Sequence, residues 1–177
     1  MRFQFDWLAP HWDGLRSPDY FDAFERGLTE VESARRILDL GTGTGIAAFA
    51  LAARFPQAEV VGVDLASEMV EEARRKRPAE LAERVRFDVA DASRLPFADG
   101  SFDLVTLSNM IPFFDELTRV LADGGTALVA FSSGPETPIY VPFERLRDEL
   151  EDRGFSQFAQ FATGPGSALL ARKRAQV

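Results

Sequence analysis

The fold is decided by residues 36–64, which read RILDLGTGTGIAAFALAARFPQAEVVGVD. A short apolar run ends at Leu40 and leads into three glycines, and an apolar segment follows over residues 46–53 and stops near Pro56. A second run, rich in valine, covers residues 59–64. This order predicts a buried strand, a glycine-rich turn, a helix packed against the sheet, and a second parallel strand.

Beyond this unit, strand and helix patterns keep alternating, which favours a parallel sheet covered by helices. We predict helices that start near Ser17, near Ser67 and near Phe113, the last of these ending at Gly124 and Gly125, where glycine favours a left-handed cap. A further helix is predicted over residues 141–153. The further predicted strands of this part are residues 85–89, 102–107 and 126–131.

The C-terminal part determines which kind of α/β fold is expected. Two strand-like runs, residues 155–161 and 167–172, are joined by Thr163-Gly164-Pro165-Gly166, which is too short for a crossover helix, so the two strands must be antiparallel neighbours. The sequence therefore predicts a doubly wound α/β fold. We expect one domain, with a helical cap at 1–35, a ligand-binding core at 36–131, and a C-terminal helix and hairpin at 132–177.

Composition excludes several classes of function. The chain has no cysteine and one histidine (His11), which argues against thiolate and histidine metal sites, so no metal is expected. A formal charge of −8 argues against general nucleic-acid binding, and the basic cluster at residues 74–77 is better explained as the end of a helix. No apolar run reaches 18 residues. We expect a cytoplasmic protein without a membrane or nucleic-acid partner.

Two aspartates lie near the ends of predicted strands, at the edge where ligands bind in such folds. Asp39 precedes the glycines, where a carboxylate would repel a pyrophosphate but would suit a cationic ligand group. Asp64 ends the second strand, where an acceptor can bind ribose hydroxyls. The glycines allow the backbone to turn sharply and to approach a ligand at a helix N-terminus. The spacing G-x-G-x-G differs from the dinucleotide fingerprint G-x-G-x-x-G.

Residues 37–45, together with residues 88–97, 101–105 and 117–125, resemble the ordered motifs of class I S-adenosylmethionine-dependent methyltransferases, including small-molecule enzymes of methyltransferase type 11. The resemblance implies a mostly parallel seven-stranded sheet with one antiparallel strand near the C-terminus. It also implies S-adenosyl-L-methionine as cofactor and S-adenosyl-L-homocysteine as product. The expected activity is in-line transfer of a methyl group to a small O, N or C nucleophile.

The resemblance also assigns roles to individual residues. Asp39 would contact the methionine amino group, Asp64 the ribose hydroxyls and Asp91 the exocyclic amine of adenine. Leu65 would pack on the adenine face, and Asp103 would be structural. The other residues expected to contact the cofactor are Gly41, Thr42, Gly43, Gly45, Ala92 and Asn109.

Catalytic residues are harder to assign, because a base is needed only if the acceptor is protonated. The weak candidates are His11, Asn109 and Tyr20. Each has a plainer alternative: packing for His11, a turn that caps the next helix for Asn109, and the core for Tyr20, which lies at helical spacing with Phe21, Phe24 and Leu28. The acceptor is expected among Phe113, Phe114, residues 135–142 and the N-terminal segment.

Other classes remain open. A protein or RNA methylase is possible because no large inserted lid is evident, and a non-catalytic S-adenosylmethionine-binding or scaffold protein would keep the cofactor site alone. A dehydrogenase is contradicted by Asp39 and by the terminal hairpin. The expected partner is a small-molecule methyl acceptor, and the expected oligomeric state is a monomer or a homodimer.

Overall fold

The computed structural model describes residues 19–175, and these form seven strands and five α-helices. The strands are β1 (Arg36–Leu40), β2 (Glu59–Asp64), β3 (Val85–Val89), β4 (Phe102–Ser108), β5 (Leu121–Phe131), β6 (Phe155–Thr163) and β7 (Gly166–Lys173). The helices are α1 (Asp22–Leu28), α2 (Ile46–Arg54), α3 (Ser67–Lys76), α4 (Phe114–Val120) and α5 (Phe143–Glu151), and a 3₁₀ turn covers Ala79–Leu81.

The strands form one sheet in the order β3-β2-β1-β4-β5-β7-β6. Strands β1 to β5 pair in parallel, whereas β7 is antiparallel to both β5 and β6. The predicted fold class, a mostly parallel seven-stranded sheet with one reversed strand near the C-terminus, is therefore confirmed. The strand order reverses between β1 and β4, which is where open α/β sheets leave a crevice at the carboxyl ends of their strands.

Helices cover both faces of the sheet and bury two apolar layers. On one face, α1, α2 and α3 pack against alternate strand residues, including Ile37, Leu104 and Leu128. On the other face, α4 and α5 pack against Leu38, Val105 and other residues. The alternation along β1 places Asp39 on the same face as Ile37, under α1 and α2, because successive strand residues point to opposite faces. Asp39 is thus a buried ionisable residue within this apolar layer.

Two helices differ from the prediction in their boundaries. The described helix α1 spans Asp22–Leu28, and the predicted helix start near Ser17 lies outside the described residues. Helix α5 spans Phe143–Glu151, inside the predicted 141–153. Helix α4 ends at Val120, not at Gly124 and Gly125, and β5 begins at once with the fully buried Leu121.

The early end of α4 has a physical cause in a distant strand. Lys173 of β7 donates through Nζ to the carbonyl oxygens of Thr118 (3.0 Å) and Leu121 (2.8 Å), which satisfies acceptors left open at the helix end. The glycines instead lie within β5, where Gly124 has a positive φ of 75°. A contact made by a residue 55 positions away leaves no local signal in the sequence.

The basic cluster at the end of α3 protects one edge of the sheet. Arg74 donates to the carbonyl oxygen of Phe87 through Nη2 (2.6 Å), and Arg77 donates to that of Val85 (2.7 Å). Both acceptors lie on β3, the edge strand, whose open backbone groups would otherwise invite pairing with another chain. Arg74, Arg75 and Lys76 occupy the last turn, so the predicted location at a helix end is confirmed. None of the helices within residues 19–175 is long and apolar enough to cross a membrane.

Candidate functional site

A cavity of about 520 Å³ opens at the carboxyl ends of the central strands. One side, which we call the acidic half, contains Asp39, Asp64 and Asp91, which lie at or just after the ends of β1, β2 and β3. The other side, which we call the neutral half, contains the wall residues at the end of β4 and in the loops after β4 and β5. These are Ser108, Asn109, Met110, Ile111, Phe113, Ser132, Ser133, Thr137 and Ile139. Both halves line the same cavity, together with Tyr20 and Phe21 just before α1.

The glycine-rich turn forms the floor between the two halves. Gly41 and Gly43 have φ values of 64° and 54°, in the left-handed region that L side chains disfavour. A Cβ atom on Gly41 would lie 2.7 Å from the sulfur of Met110, so this position also needs the absence of a side chain. The turn is held by a hydrogen bond from Thr42 N to Val63 O (2.9 Å). Sequence spacing and local geometry therefore agree on this turn.

Asp64 connects this turn to the start of α3. Its Oδ2 accepts from the amide of Gly43 (2.9 Å), and its Oδ1 accepts from the amide of Ala66 (2.9 Å). These two amide bonds fix the orientation of the carboxylate, whose oxygens are hydrogen-bond acceptors. Leu65 beside it is 49% exposed within the cavity wall, where it offers an apolar surface to a flat ligand.

Asp39 is the most buried charge of the site, with 1% of its surface exposed. Burial raises the pKa of Asp39 to about 6, opposed by the hydroxyl groups of Thr42 and Thr106 and reinforced by repulsion from Asp64. Thr106 Oγ1 donates to Asp39 Oδ1 at 2.8 Å. Within the part of the chain that the structure describes, Asp39 Oδ2 accepts no hydrogen bond.

Asp91 and Ala92 lie in the loop after β3, and both line the cavity. Asp91 Oδ1 accepts from Ser93 N (2.8 Å) and Ser93 Oγ (2.6 Å). These bonds hold the pKa of the Asp91 carboxyl below its ordinary value, so it stays ionised at neutral pH.

An ion pair in α4 fastens the same loop to the protein. Glu116 Oε2 accepts from Leu95 N (2.6 Å), while Arg119 donates to Phe97 O (2.7 Å) and Leu95 O (3.1 Å). Arg119 also donates to Glu116 Oε1 at 2.7 Å, and this bond lowers the pKa of Glu116 to about 2. These hydrogen bonds hold the loop that carries Asp91, and they lie outside the cavity. They escaped sequence reasoning because neither Glu116 nor Arg119 belongs to a ligand-binding motif.

Asn109 bridges the two loops of the neutral half. Its φ is 55°, the one positive value of a non-glycine residue in the described chain. Its Oδ1 accepts from Ser132 N (2.8 Å) and from Ser132 Oγ (2.9 Å), and its own amide donates to Ala130 O (2.9 Å). The alternative in which Asn109 caps the next helix is wrong, because α4 follows Phe113 and Asn109 instead fastens the loop after β5.

The aromatic residues near the N-terminus divide between core and cavity. Phe24 and Leu28 are buried in the core beneath α1, whereas Tyr20 and Phe21 line the cavity. The core alternative for Tyr20 is therefore wrong, and its place on the wall keeps it among the candidates. His11 and residues 1–18 lie outside the described residues.

The predicted acceptor region is partly brought together. Phe113, Thr137 and Ile139 line the cavity, but Phe114 does not and packs instead in the apolar layer, with the guanidinium of Arg153 5.5 Å from its ring centroid. Gly45 is also absent from the described cavity wall, since it begins α2 against the rings of Phe49 and Phe87. Asp103 is structural as expected, because it accepts from the amides of Arg35 and Arg36.

Several wall residues were missed by sequence reasoning. Ile111 follows the end of a predicted strand, but its 50% exposure is visible only in the structure. The others lie in helices, strands and loops, and their approach to the cavity depends on tertiary contacts. The missed residues are Ile46, Ala47, Val63, Ala66, Met69, Ala90, Ser108, Met110, Ile111, Ser132 and Ser133, along with Phe21.

The residues present fit the expected cofactor. S-adenosylmethionine carries an ammonium group, two ribose hydroxyls and an adenine amine, which are hydrogen-bond donors. The acidic half supplies three carboxylates, and that of Asp39 has a buried oxygen without a hydrogen bond from the described residues. No lysine, arginine or histidine is among the described wall residues, so no cation of the described wall competes for these carboxylates. The fold and the site thus define the class I methyltransferase architecture.

Comparison with known proteins places the chain within a family. Residues 37–125 match the family described as a methyltransferase domain, and this chain belongs to that family. The chain is 44% identical over 138 residues to the demethylmenaquinone methyltransferase of Thermus thermophilus, covering 71% of this chain and 62% of the relative. It is 35% identical over 157 residues to the ubiquinone/menaquinone biosynthesis C-methyltransferase of Geotalea daltonii, covering 80% of this chain and 66% of the relative.

Both alignments cover slightly less than two thirds of the relatives' own length. Among solved structures, a SAM-dependent methyltransferase from Aquifex aeolicus superposes with a TM-score of 0.75 at 21% identity, covering 93% of this chain and 97% of that one. This likeness shows the fold. The predicted family and the predicted cofactor of that family, S-adenosylmethionine, are confirmed together.

Proposed function

We propose that this chain is an S-adenosylmethionine-dependent methyltransferase that acts on a small, largely apolar acceptor. The proposal rests on one observation: three carboxylates and an apolar loop surface line the same cavity. This cavity lies where the strand order reverses between β1 and β4. When bound, S-adenosylmethionine supplies an electrophilic methyl group. What the protein must add is binding, orientation and the exclusion of water.

The acidic half binds and orients the donor. Asp39 is assigned to the ammonium group, Asp64 to the ribose hydroxyls and Asp91 to the adenine amine, with Leu65 and Ala92 against the ring. Asp64 is already fixed by the amides of Gly43 and Ala66, so little side-chain entropy is lost when a ligand binds it.

The neutral half supports the apolar nature of the acceptor. Its apolar wall residues include Ile111 and Phe113, which are 50% and 43% exposed, and Ile139 lies on the same side. The ionisable residues of the described wall are Tyr20, Asp39, Asp64 and Asp91. Burying a charged acceptor against the apolar surface would cost free energy without a partner charge, so a neutral molecule is favoured.

The relatives named as quinone-pathway methyltransferases suggest a particular acceptor class, a reduced quinone ring that reacts through carbon. In such a transfer the ring carbon bonds to the methyl group, the methyl–sulfur bond breaks, and the ring proton leaves to water. Among the polar residues of the described wall, we propose that Asn109 and Tyr20 orient the acceptor oxygen.

The test is formation of S-adenosylhomocysteine from S-adenosylmethionine with reduced naphthoquinones and benzoquinones that lack one ring methyl group. Simple amines and phenols serve as competing acceptors. We expect turnover with the quinols, abolished in Asp64→Ala and retained in Asp152→Ala, an exposed carboxylate at the end of α5. Turnover with amines alone would overturn the acceptor class. Tight cofactor binding without any turnover would favour a non-catalytic binding protein.

A further inference from the structure

Asp39 lies in a row of residues that crosses three strands. The strand register places Asp39 beside Gly62 of β2 and beside Thr106 of β4, so all three point to the same face of the sheet. A Cβ on Gly62 would lie 2.6 Å from Thr42 Oγ1, which means that the Thr42 side chain occupies the space above this glycine. Asp39 is therefore flanked by two threonines, with Thr106 on one side and Thr42 on the other.

Thr106 fixes one oxygen of this carboxylate. Its hydroxyl is fully buried and donates to Asp39 Oδ1 at 2.8 Å. A hydroxyl has a single proton to donate, so this proton is committed to Oδ1. Oδ2 is itself buried and accepts no hydrogen bond from the described residues. The hydroxyl of Thr42 lies near the same carboxylate and also lowers its pKa, and Asp39 is one of the residues that line the cavity. Rotation of the carboxylate would break the bond to Thr106.

The charged groups around Asp39 determine how strongly it would bind a cation. The titratable groups that face the cavity with Asp39 are Asp64, Asp91 and Tyr20, while β4 and the glycine turn contribute the neutral hydroxyls of Thr106 and Thr42. An ionised Asp39 therefore has no cationic partner within the described wall. Because a buried carboxylate without a cationic partner is costly, a cationic ligand group beside Asp39 would be bound strongly.

We infer that Thr106 is a positioning residue that holds the Asp39 carboxylate in place for the ammonium group of the bound donor. This inference rests on the proposed function, since it needs the acidic half to bind S-adenosylmethionine. Thr106 contacts Asp39 and is not part of the described cavity wall. Its effect on binding is exerted through the carboxylate, and it is limited to ligands that carry the amino-acid end.

The experiment compares two ligands in calorimetric titrations between pH 5 and pH 8. S-adenosylhomocysteine carries the ammonium group, whereas 5′-methylthioadenosine lacks the whole amino-acid end. We expect Thr106→Val to weaken the first ligand about tenfold and to leave the second within twofold. Loss of the stabilising hydroxyl should also move the pH below which S-adenosylhomocysteine binding weakens to a higher value. Thr106→Ser keeps a hydroxyl and should restore both properties.

Thr118→Val is the matched control, because its buried hydroxyl lies in α4 and has no described hydrogen-bond partner. It should bind both ligands like the wild type. Unchanged affinity and pH profile in Thr106→Val would overturn the inference, and so would an equal loss of both ligands. Failure of the wild-type protein to bind either nucleoside would overturn the proposed function as well, and this is distinguishable because the variants then have no reference affinity to change.

Discussion

At the ends of β1, β2 and β3 the cavity is bordered by three aspartates, whereas at the ends of β4 and β5 it is bordered by amide, hydroxyl and apolar side chains. The acidic half is built from short local signals, in which a strand ends in an aspartate and glycines allow the turn. The neutral half depends on contacts between distant loops, such as Asn109 with Ser132. The difference indicates that the donor-binding role proposed for the acidic half depends on local sequence, while the acceptor role proposed for the neutral half depends on tertiary structure.

The largest expected effect tests whether the acidic half alone governs donor binding. Asp64→Ala removes the acceptor for ribose hydroxyls and releases the amides of Gly43 and Ala66. We expect the affinity for S-adenosylhomocysteine to fall at least about a hundredfold, roughly 3 kcal/mol, because several charge-assisted bonds are lost together. Gly43→Val should be equally severe, since φ is 54° there. Calorimetric titration measures both.

The control for this pair is Asp152→Ala, which removes the same charge from an exposed position. It should bind like the wild type. Normal binding by both Asp64→Ala and Gly43→Val would show that the donor does not occupy the acidic half at all.

Features encoded by neighbouring residues could be predicted from the sequence, whereas features fixed by distant contacts could not. Strands β1, β2 and β3 occur at the predicted residues, because each is a short run with apolar residues at alternate or successive positions. The end of α4 was predicted wrongly, because Lys173 from β7 fixes it. In the site, the three aspartates could be recognised from their positions after strands. The walls contributed by Met110, Ser132 and Phe21 could not, because their approach to the cavity depends on loop packing.

A second prediction separates binding from stability within the acidic half. The pKa of Asp39 in the folded protein is about 6, against an ordinary value of 3.8. The cost of its buried charge is therefore absent below about pH 4 and fully present above pH 6, where it reaches at most about 3 kcal/mol. Asp39→Asn should raise the free energy of unfolding at pH 8 by up to this amount and leave it unchanged at pH 4.

Urea unfolding at the two pH values measures this effect, and Asp88→Asn on the exposed part of β3 provides the control. The same Asp39→Asn variant should bind S-adenosylhomocysteine at least tenfold more weakly. A variant that is destabilised at both pH values would show that the carboxylate serves the fold rather than the ligand.

A smaller effect, on the free energy of unfolding, is expected at the Glu116–Arg119 ion pair, which contacts the loop of Asp91 from outside the cavity. Because Arg119 holds the pKa of Glu116 near 2, the ionised Glu116 stabilises the fold above its unfolded pKa of about 4.5, and this stabilisation is lost as the pH falls from 4.5 towards 2. Glu116→Gln should lower the free energy of unfolding at pH 7 by about 1 kcal/mol and flatten its acid dependence.

The measurement is urea unfolding from pH 7 to pH 3, with Glu151→Gln as control, because Glu151 pairs with Arg147 on the exposed face of α5 and touches no cavity loop. If the free energy of unfolding depends on pH in the same way in Glu116→Gln and in the wild type, the ion pair does not stabilise the Asp91 loop.

The smallest effect on donor binding is expected in the neutral half, and it tests the independence of the two halves most directly. Asn109→Gly removes the side chain and keeps the backbone conformation, since glycine adopts a φ of 55° without strain. Because Asn109 Oδ1 accepts both hydrogen bonds from Ser132, its loss should free the loop at residues 132–139 and increase deuterium uptake there. Affinity for S-adenosylhomocysteine should stay within twofold. Asn109→Asp keeps the accepting oxygen and should protect the loop like the wild type. A tenfold loss of affinity in Asn109→Gly would instead assign this amide to the donor site and join the two halves into one recognition surface.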